Sequence, residues 1–271
     1  MLVMYPTTTP AKREKLGPFT MELAIDAPPE TGPFPLILIS HGSGGTPIVY
    51  RTLAEHLVRH GFIVGLPEHP LNSRSDNSES GTLHNLRNRP RHISLAIDWF
   101  YQSSPYQTHL KHSVSVIGHS MGGYTALAAA GGRPTSFAQE SPEGLMEAIA
   151  LTPDSRIKAL VLLAPATVWF RLEDALRDVK VPVLMLIGSK DEQTPFDVHG
   201  QIIVNGLPDP SQLQYRIVDN AGHYSFLSPY THEMTRPMFP PSQDPKGFDR
   251  RLFHEEFYAE IIRFLIDKLN T

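Results

Sequence analysis

Cysteine is absent from the 271-residue sequence. Disulfides, thiolate metal sites and a cysteine nucleophile are therefore excluded together. A surplus of either charge is also missing: 24 Lys and Arg stand against 28 Asp and Glu, a formal net charge of −4. No basic run breaks that balance, which argues against a nucleic-acid partner. No apolar stretch reaches the roughly 18 residues of a membrane-spanning helix, so no stable membrane insertion is expected. The opening MLVMYPTTTPAKREK has no charged segment followed by a long apolar run. A secretory leader is not expected in the chain as it stands, and a cytoplasmic location follows, although an exported protein trimmed of its leader would look the same.

What is present is ordinary globular material. Hydrophobic residues make up 41% of the chain, enough for one large core. Short apolar, β-branched runs predict strands at Leu2 to Tyr5, Phe19 to Ile25, Leu36 to Ser40, Phe62 to Leu66 and Val114 to Gly118. Three more follow at Ala159 to Leu163, Val183 to Ile187 and Gln214 to Val218. From the third onward they are nearly all apolar and alternate with helical patterns, which predicts a mostly parallel, eight-stranded α/β sheet covered on both faces. The helices are expected at Tyr50 to His60, Ile93 to Tyr101, Tyr124 to Ala130 and Leu252 to Leu269. With no internal repeat and no long linker, residues 1–271 read as a single domain. The polar or proline-rich segments 72–91, 133–155 and 228–249 read as long loops, where binding function concentrates.

The stretch VIGHSMGGY, Val116 to Tyr124, carries the chemistry. A buried strand runs into a serine flanked by glycines and then into an alanine-rich helix. Gly118-x-Ser120-x-Gly122 fits a nucleophile elbow, in which the serine sits on a strained turn and its neighbours must be small. A serine at its free pKa needs a base, and the base needs an orienting acid. Among 13 histidines, His223 follows the last strand in NAGHY, where a loop can bring its ring over the sheet edge. His119 adjoins the serine but faces the wrong way across the turn, which suits packing or support. Asp191, just past the strand VPVLMLIG, is the candidate acid; Glu192 beside it and Asp219 before the histidine are alternatives. The order Ser120, Asp191, His223 is the one this architecture uses. An oxyanion also needs N–H donors. ISHGSGGTP, after the third apolar run, places glycines where backbone amides can approach a substrate, and assigns the donors to Ser43 and Met121. His41 and Gly42 then support the loop. The glycine cluster lacks the Gly-Lys-Ser/Thr ending of a phosphate-binding P-loop.

With strand, elbow, acid and histidine in order, the chain resembles the α/β-hydrolase superfamily over nearly its whole length. The block PLILISHGSGGTPIVYRTLAEHLVRHGFIVGLPEHP is similar to that of platelet-activating-factor acetylhydrolases and of the bacterial proteins called predicted dienelactone hydrolases. Those families pair an HG-containing oxyanion loop with a GHSxGG elbow, here His41-Gly42 and Gly118 to Gly123. The resemblance implies oxyanion amides at Ser43 and Met121. True dienelactone hydrolases use a cysteine nucleophile, which is missing here. Some acetylhydrolases take their acid from the preceding strand end, which here reads LLAPATVWF without a carboxylate and returns the role to Asp191.

The expected function is a serine hydrolase of carboxylic esters, with short-chain acyl or small hydrophobic esters as the small-molecule substrate and no cofactor or metal. Loop 72–91 and the segment after the elbow helix would line the pocket, with Trp169 and Phe170 either an aromatic wall or core packing. An amidase or acyltransferase would use the same machinery, and a non-catalytic scaffold would retain only the fold. A metallohydrolase is disfavoured: His109 and His112 in HLKH, taken as a helical pair, have no carboxylate motif beside them. Substrate identity and oligomeric state are not written in these patterns.

Overall fold

The structure, a computed structural model, describes residues 1–269. In chain order its first elements are β1 (Leu2–Met4), β2 (Lys12–Leu16), β3 (Phe19–Leu23), β4 (Phe34–Ser40), α1 (Arg51–Arg59), β5 (Ile63–Leu66) and α2 (Leu83–Gln102). There follow β6 (Leu110–His119), α3 (Met121–Ala129), β7 (Ile157–Leu163), β8 (Val183–Gly188), α4 (Gly200–Gly206), β9 (Leu213–Val218) and α5 (Arg250–Leu269). The last two residues of the expected 1–271 unit lie outside the described residues.

Seven strands form the main sheet in the order β1-β5-β4-β6-β7-β8-β9. All pairs are parallel except the edge strand β1, which runs antiparallel to β5. The α/β-hydrolase fold is therefore present, with one strand fewer in the sheet than expected. Phe19–Leu23 does not join it. Its partner is β2, whose sequence KREKL is too polar to register as a strand, and the two close a separate hairpin over Gly17, at φ +58°. Phe19 and Met21 face inward while Thr20 and Glu22 face solvent, the alternation of a strand covered on one side.

Successive residues of the parallel strands feed two apolar layers. Ile37, Ile39, Ile117, Val161 and Leu186 pack with Leu53 and Leu57 of α1 and Phe257, Ile261 and Leu265 of α5. Leu36, Leu38, Val116, Leu160 and Met185 pack on the other face with Ile93, Ile97 and Phe100 of α2, Leu127 of α3 and Ile203 of α4. Both faces are dry, which explains the continuous apolar runs of the central strands.

Helix α2 corrects the expected loop 72–91, because residues 83–91 belong to it. Thr82 caps it by accepting from the Asn85 N–H at 3.1 Å. Pro90 lies inside the helix and has no N–H for the carbonyl of Leu86. The hydroxyl of Tyr124 on α3 donates to that carbonyl at 2.9 Å instead. A tertiary contact thus repairs the helix at the residue that marks a loop in sequence. HLKH is likewise no helical pair: His112 lies in β6 and stacks on Tyr101, with ring centroids 5.7 Å apart. Segments 133–155 and 228–249 are irregular apart from short 3₁₀ turns. Among the described residues no helix is long and apolar enough to cross a membrane.

The loops leaving the C-terminal ends of β4, β5, β6, β7, β8 and β9 gather at one rim of the sheet, the usual place for a ligand in an open α/β sheet. Phe257, fully buried and in contact with Phe226 and Phe253, anchors α5 beneath that rim. Phe257→Ala is expected to cost about 3–5 kcal/mol of unfolding free energy. Urea denaturation of the two proteins checks this, and a loss below about 1 kcal/mol would contradict the packing described.

Candidate active site

The site begins with a backbone constraint at the end of β6. Ser120 adopts φ 55° and ψ −120°, a conformation that costs a non-glycine residue on the order of 1–3 kcal/mol. Its N–H donates to the Leu163 carbonyl at 3.0 Å, and its own carbonyl accepts from Gly123 at 2.8 Å and Ala166 at 2.9 Å. The flanking glycines are sterically required. A Cβ on Gly118 would sit 2.1 Å from the Gly122 oxygen, and one on Gly122 would sit 2.0 Å from the Ser40 oxygen. The turn leaves Ser120 partly exposed, its hydroxyl free of hydrogen bonds among the described residues.

Asp191 and His223 are brought together by the turns after β8 and β9. Those turns cross closely: a Cβ on Gly188 would lie 2.2 Å from the Ala221 oxygen, and Lys190 N–H donates to the same carbonyl at 2.9 Å. His223 Nδ1 lies 2.9 Å from Asp191 Oδ2 and 3.1 Å from Oδ1, with both side chains almost wholly buried. The carboxylate also accepts from the N–H groups of Gln193 at 2.9 Å and Thr194 at 2.8 Å, and from Thr194 Oγ1 at 2.8 Å. Burial works against its charge, but the hydrogen bond and charge of His223 and the Thr194 donors outweigh it. Asp191 is therefore held below the usual carboxylate range. Glu192 and Asp219 are exposed, and neither bonds His223. With Nδ1–H given to Asp191, the lone pair of His223 is left on Nε2.

His119 connects this pair to the elbow. It is buried, accepts the Tyr50 hydroxyl at Nδ1 (3.0 Å) and donates from Nε2 to the His223 carbonyl (2.9 Å). Its ring lies 4.9 Å from that of His223. Ser120 is next in sequence to His119, and no hydrogen bond joins its side chain to that of His223 among the described residues.

The loop after β4 lies against the serine: a Cβ on Gly42 would meet Ser120 Cβ at 3.2 Å. His41 is buried, donates from Nδ1 to the Gly42 carbonyl at 2.7 Å and accepts the His69 N–H at Nε2 at 3.0 Å. The Met121 N–H opens α3, where no preceding helical carbonyl is available to it. The Ser43 N–H donates to no group among the described residues. Phe170 is buried and stacked on Tyr124 at 5.5 Å, while Trp169 donates its indole N–H to Glu140 at 2.9 Å. That pair ties segment 133–155 to α3.

Several residues around the site escape sequence inspection. Thr194 braces both Asp191 and His223, lying 3.2 Å from His223 Nδ1. Tyr50 holds His119, and Arg89, Asn72, His69 and His92 form a polar cluster below the β4 loop. The one available signal for Arg89 was helical periodicity through LHNLRNRPRH, which Pro90 hides. Among the described residues no group of three or more His, Asp or Glu side chains is placed to hold a metal ion.

Burial and the charge of Arg89 push His41 down to about 3, and burial and His223 do the same to His119. Both are neutral when folded and ordinary when unfolded. As pH falls below 6.5 the unfolded chain takes up these protons first, so stability is lost progressively toward about 3. Asp191, depressed in the fold, adds a loss of the same sign below 3.8. Thermal midpoints should therefore decline steadily as pH is lowered from neutrality, and a flat profile down to pH ~4 would contradict this protonation pattern.

The family model described as Chlorophyllase matches residues 7–141, just short of half the chain, and ends before Asp191 and His223. Cutinase est2 of Thermobifida alba is 28% identical over 201 residues, 73% of this chain and 55% of that protein. Cutinase 2 of Thermobifida cellulosilytica is 27% identical over 201 residues, covering 63% of its length. A bis(hydroxyethyl) terephthalate hydrolase of Streptomyces coelicolor is 25% identical over 233 residues, 86% of this chain and 63% of that protein. The chain thus spans between about half and two thirds of the length of these relatives. Sheet order and strained elbow give the chain the α/β-hydrolase fold, and in sequence it is similar, below 30% identity, to cutinases and to a terephthalate-ester hydrolase.

Proposed function

We propose that the chain is a serine hydrolase of carboxylic esters, residues 1–271 acting as one catalytic domain. The observation that carries this is the buried Asp191–His223 pair, linked through His119 to the strained turn that bears Ser120. Ser120 Oγ attacks the ester carbonyl while His223 Nε2 takes its proton. Asp191 keeps the proton on Nδ1 and stabilises the imidazolium that forms. The amides of Ser43 and Met121 receive the oxyanion. Collapse expels the alcohol, protonated by His223, and leaves an acyl-enzyme on Ser120. Water, activated by the same imidazole, then releases the acid. Separation of serine and histidine before substrate binds is common, since such contacts tighten in the complex.

Short-chain acyl esters and small hydrophobic or aryl esters are the proposed substrates. The names of the relatives, cutinases and a terephthalate-ester hydrolase, support ester chemistry of this kind. The Ser43 N–H, without an acceptor among the described residues, and the Met121 N–H at the start of α3 support their choice as donors.

A p-nitrophenyl ester series from acetate to palmitate tests this. Activity should peak at short chains, fall to background in Ser120→Ala, and drop ~10³- to 10⁴-fold in Asp191→Asn. A fluorophosphonate should label Ser120, and a chelator should leave the rate unchanged. Full activity in Ser120→Ala would overturn the proposal. Absence of both turnover and labelling would point to a scaffold, and faster cleavage of amides or transfer to added alcohol would reassign the reaction.

A further inference from the structure

The guanidinium of Arg89 is fully buried, yet no carboxylate pairs with it among the described residues. Buried arginines normally sit opposite an acid, because an unpaired charge is expensive in a protein interior. Here every acceptor is a neutral oxygen. Nε donates to Thr125 Oγ1 at 2.8 Å, Nη1 to Asn72 Oδ1 at 2.6 Å, and Nη2 to Ser40 Oγ at 3.4 Å and to the His41 carbonyl.

Those acceptors lead to both proposed oxyanion donors. Thr125 passes its own hydrogen to the Met121 carbonyl at 2.9 Å, inside the first turn of α3. Asn72 donates to Ser43 Oγ at 2.9 Å and to Asn77 Oδ1 at 2.7 Å. The His41 carbonyl belongs to the loop that carries Ser43. One rigid planar group therefore spans the two otherwise separate backbone segments, one after β4 and one after β6. Resting on the serine-hydrolase assignment above, we propose that Arg89 is the positioning residue of the oxyanion site. It locks the Ser43 and Met121 amides in a common orientation, and its uncompensated positive charge favours the tetrahedral anion over the neutral ester.

The physical case is differential. In the resting site the guanidinium is solvated by fixed dipoles and gains nothing from a neutral carbonyl. When negative charge develops on the substrate oxygen, a nearby buried cation lowers its energy without any reorganisation. Neighbouring rings do not add competing cations: burial, followed by the charge of Arg89, holds His41 and His92 at about 3 and about 4, and His69 well below its usual value. Burial lowers Arg89 to about 9, which still leaves the guanidinium charged at neutral pH.

The test uses the full chain with p-nitrophenyl butyrate, a trifluoromethyl ketone that binds as a tetrahedral adduct, and thermal unfolding as a check on folding. Arg89→Met is expected to lower kcat by ~10- to 100-fold with KM within about threefold, less than or equal to the loss of a direct donor. Ketone affinity should fall in parallel with kcat/KM, and Arg89→Lys should recover part of both. If the Arg89 variants do not fold, Thr125→Val, which keeps volume and cuts the link to Met121, decides. Its expected loss is about three- to tenfold in kcat at unchanged KM. Unchanged kcat in folded variants, or reduced kcat with full ketone affinity, would overturn the proposal. Ser120→Ala run in parallel separates the two assignments. Residual activity there removes the serine mechanism and this role with it, whereas an inactive Ser120→Ala beside fully active Arg89 and Thr125 variants removes only the role of Arg89.

Discussion

Three backbone segments meet at the elbow with no room for a side chain between them. The Ser40 oxygen occupies the place of a Cβ on Gly122, and the Gly122 oxygen occupies that of a Cβ on Gly118. This close approach forces β6 to turn abruptly at Ser120 and start α3 at Met121. It also brings the end of β4 against the first turn of α3. The contact between the β4 loop and Ser120 follows from that crossing. The strain at Ser120 persists because hydrogen bonds from Gly123 and Ala166 and to Leu163 over-determine its backbone.

Around this turn the charges are sorted by environment. Asp191 is anionic because four donors surround its carboxylate, despite burial. Arg89 is cationic in a nest of neutral oxygens on the other side of the elbow. Between them His41 and His119 are kept neutral by burial and serve as hydrogen-bonded struts, each donating to a backbone carbonyl. A buried histidine that donates with one nitrogen and accepts with the other has a defined tautomer and ring orientation, which suits it to hold backbone. The site is thus rigid below the serine, while the irregular segments 133–155 and 228–249 border it with few regular elements of their own.

Much of the fold was legible because both faces of the sheet are covered. LILIS, VSVIG, ALVLL and VLMLI are nearly all apolar for that reason, and each became a central strand. The errors have equally local causes. Lys12–Leu16 is a strand whose outer residues are charged, so hydrophobic patterning passes over it. Residues 83–91 read as a loop because Pro90 breaks the intrinsic rules of a helix, and only Tyr124 from α3 supplies the missing hydrogen bond to Leu86. Tertiary override of local propensity is most effective where, as here, one foreign group replaces one lost backbone donor.

For the site, local chemistry and long-range geometry divide cleanly. GHSMGG, the HG-containing loop and the order serine, acid, histidine are short-range signatures, since a tight turn dictates small residues within two positions of it. They determined from sequence alone which side chains are candidates for nucleophile, acid and base. Tertiary structure alone decided that Asp191, and not Glu192 or Asp219, bonds His223, and that Thr194 braces the pair. It alone placed Arg89 beneath both backbone segments. No pattern in the chain announces a contact between residues 36 to 48 positions apart, because such contacts depend on how strands are ordered in the sheet rather than on which residues adjoin.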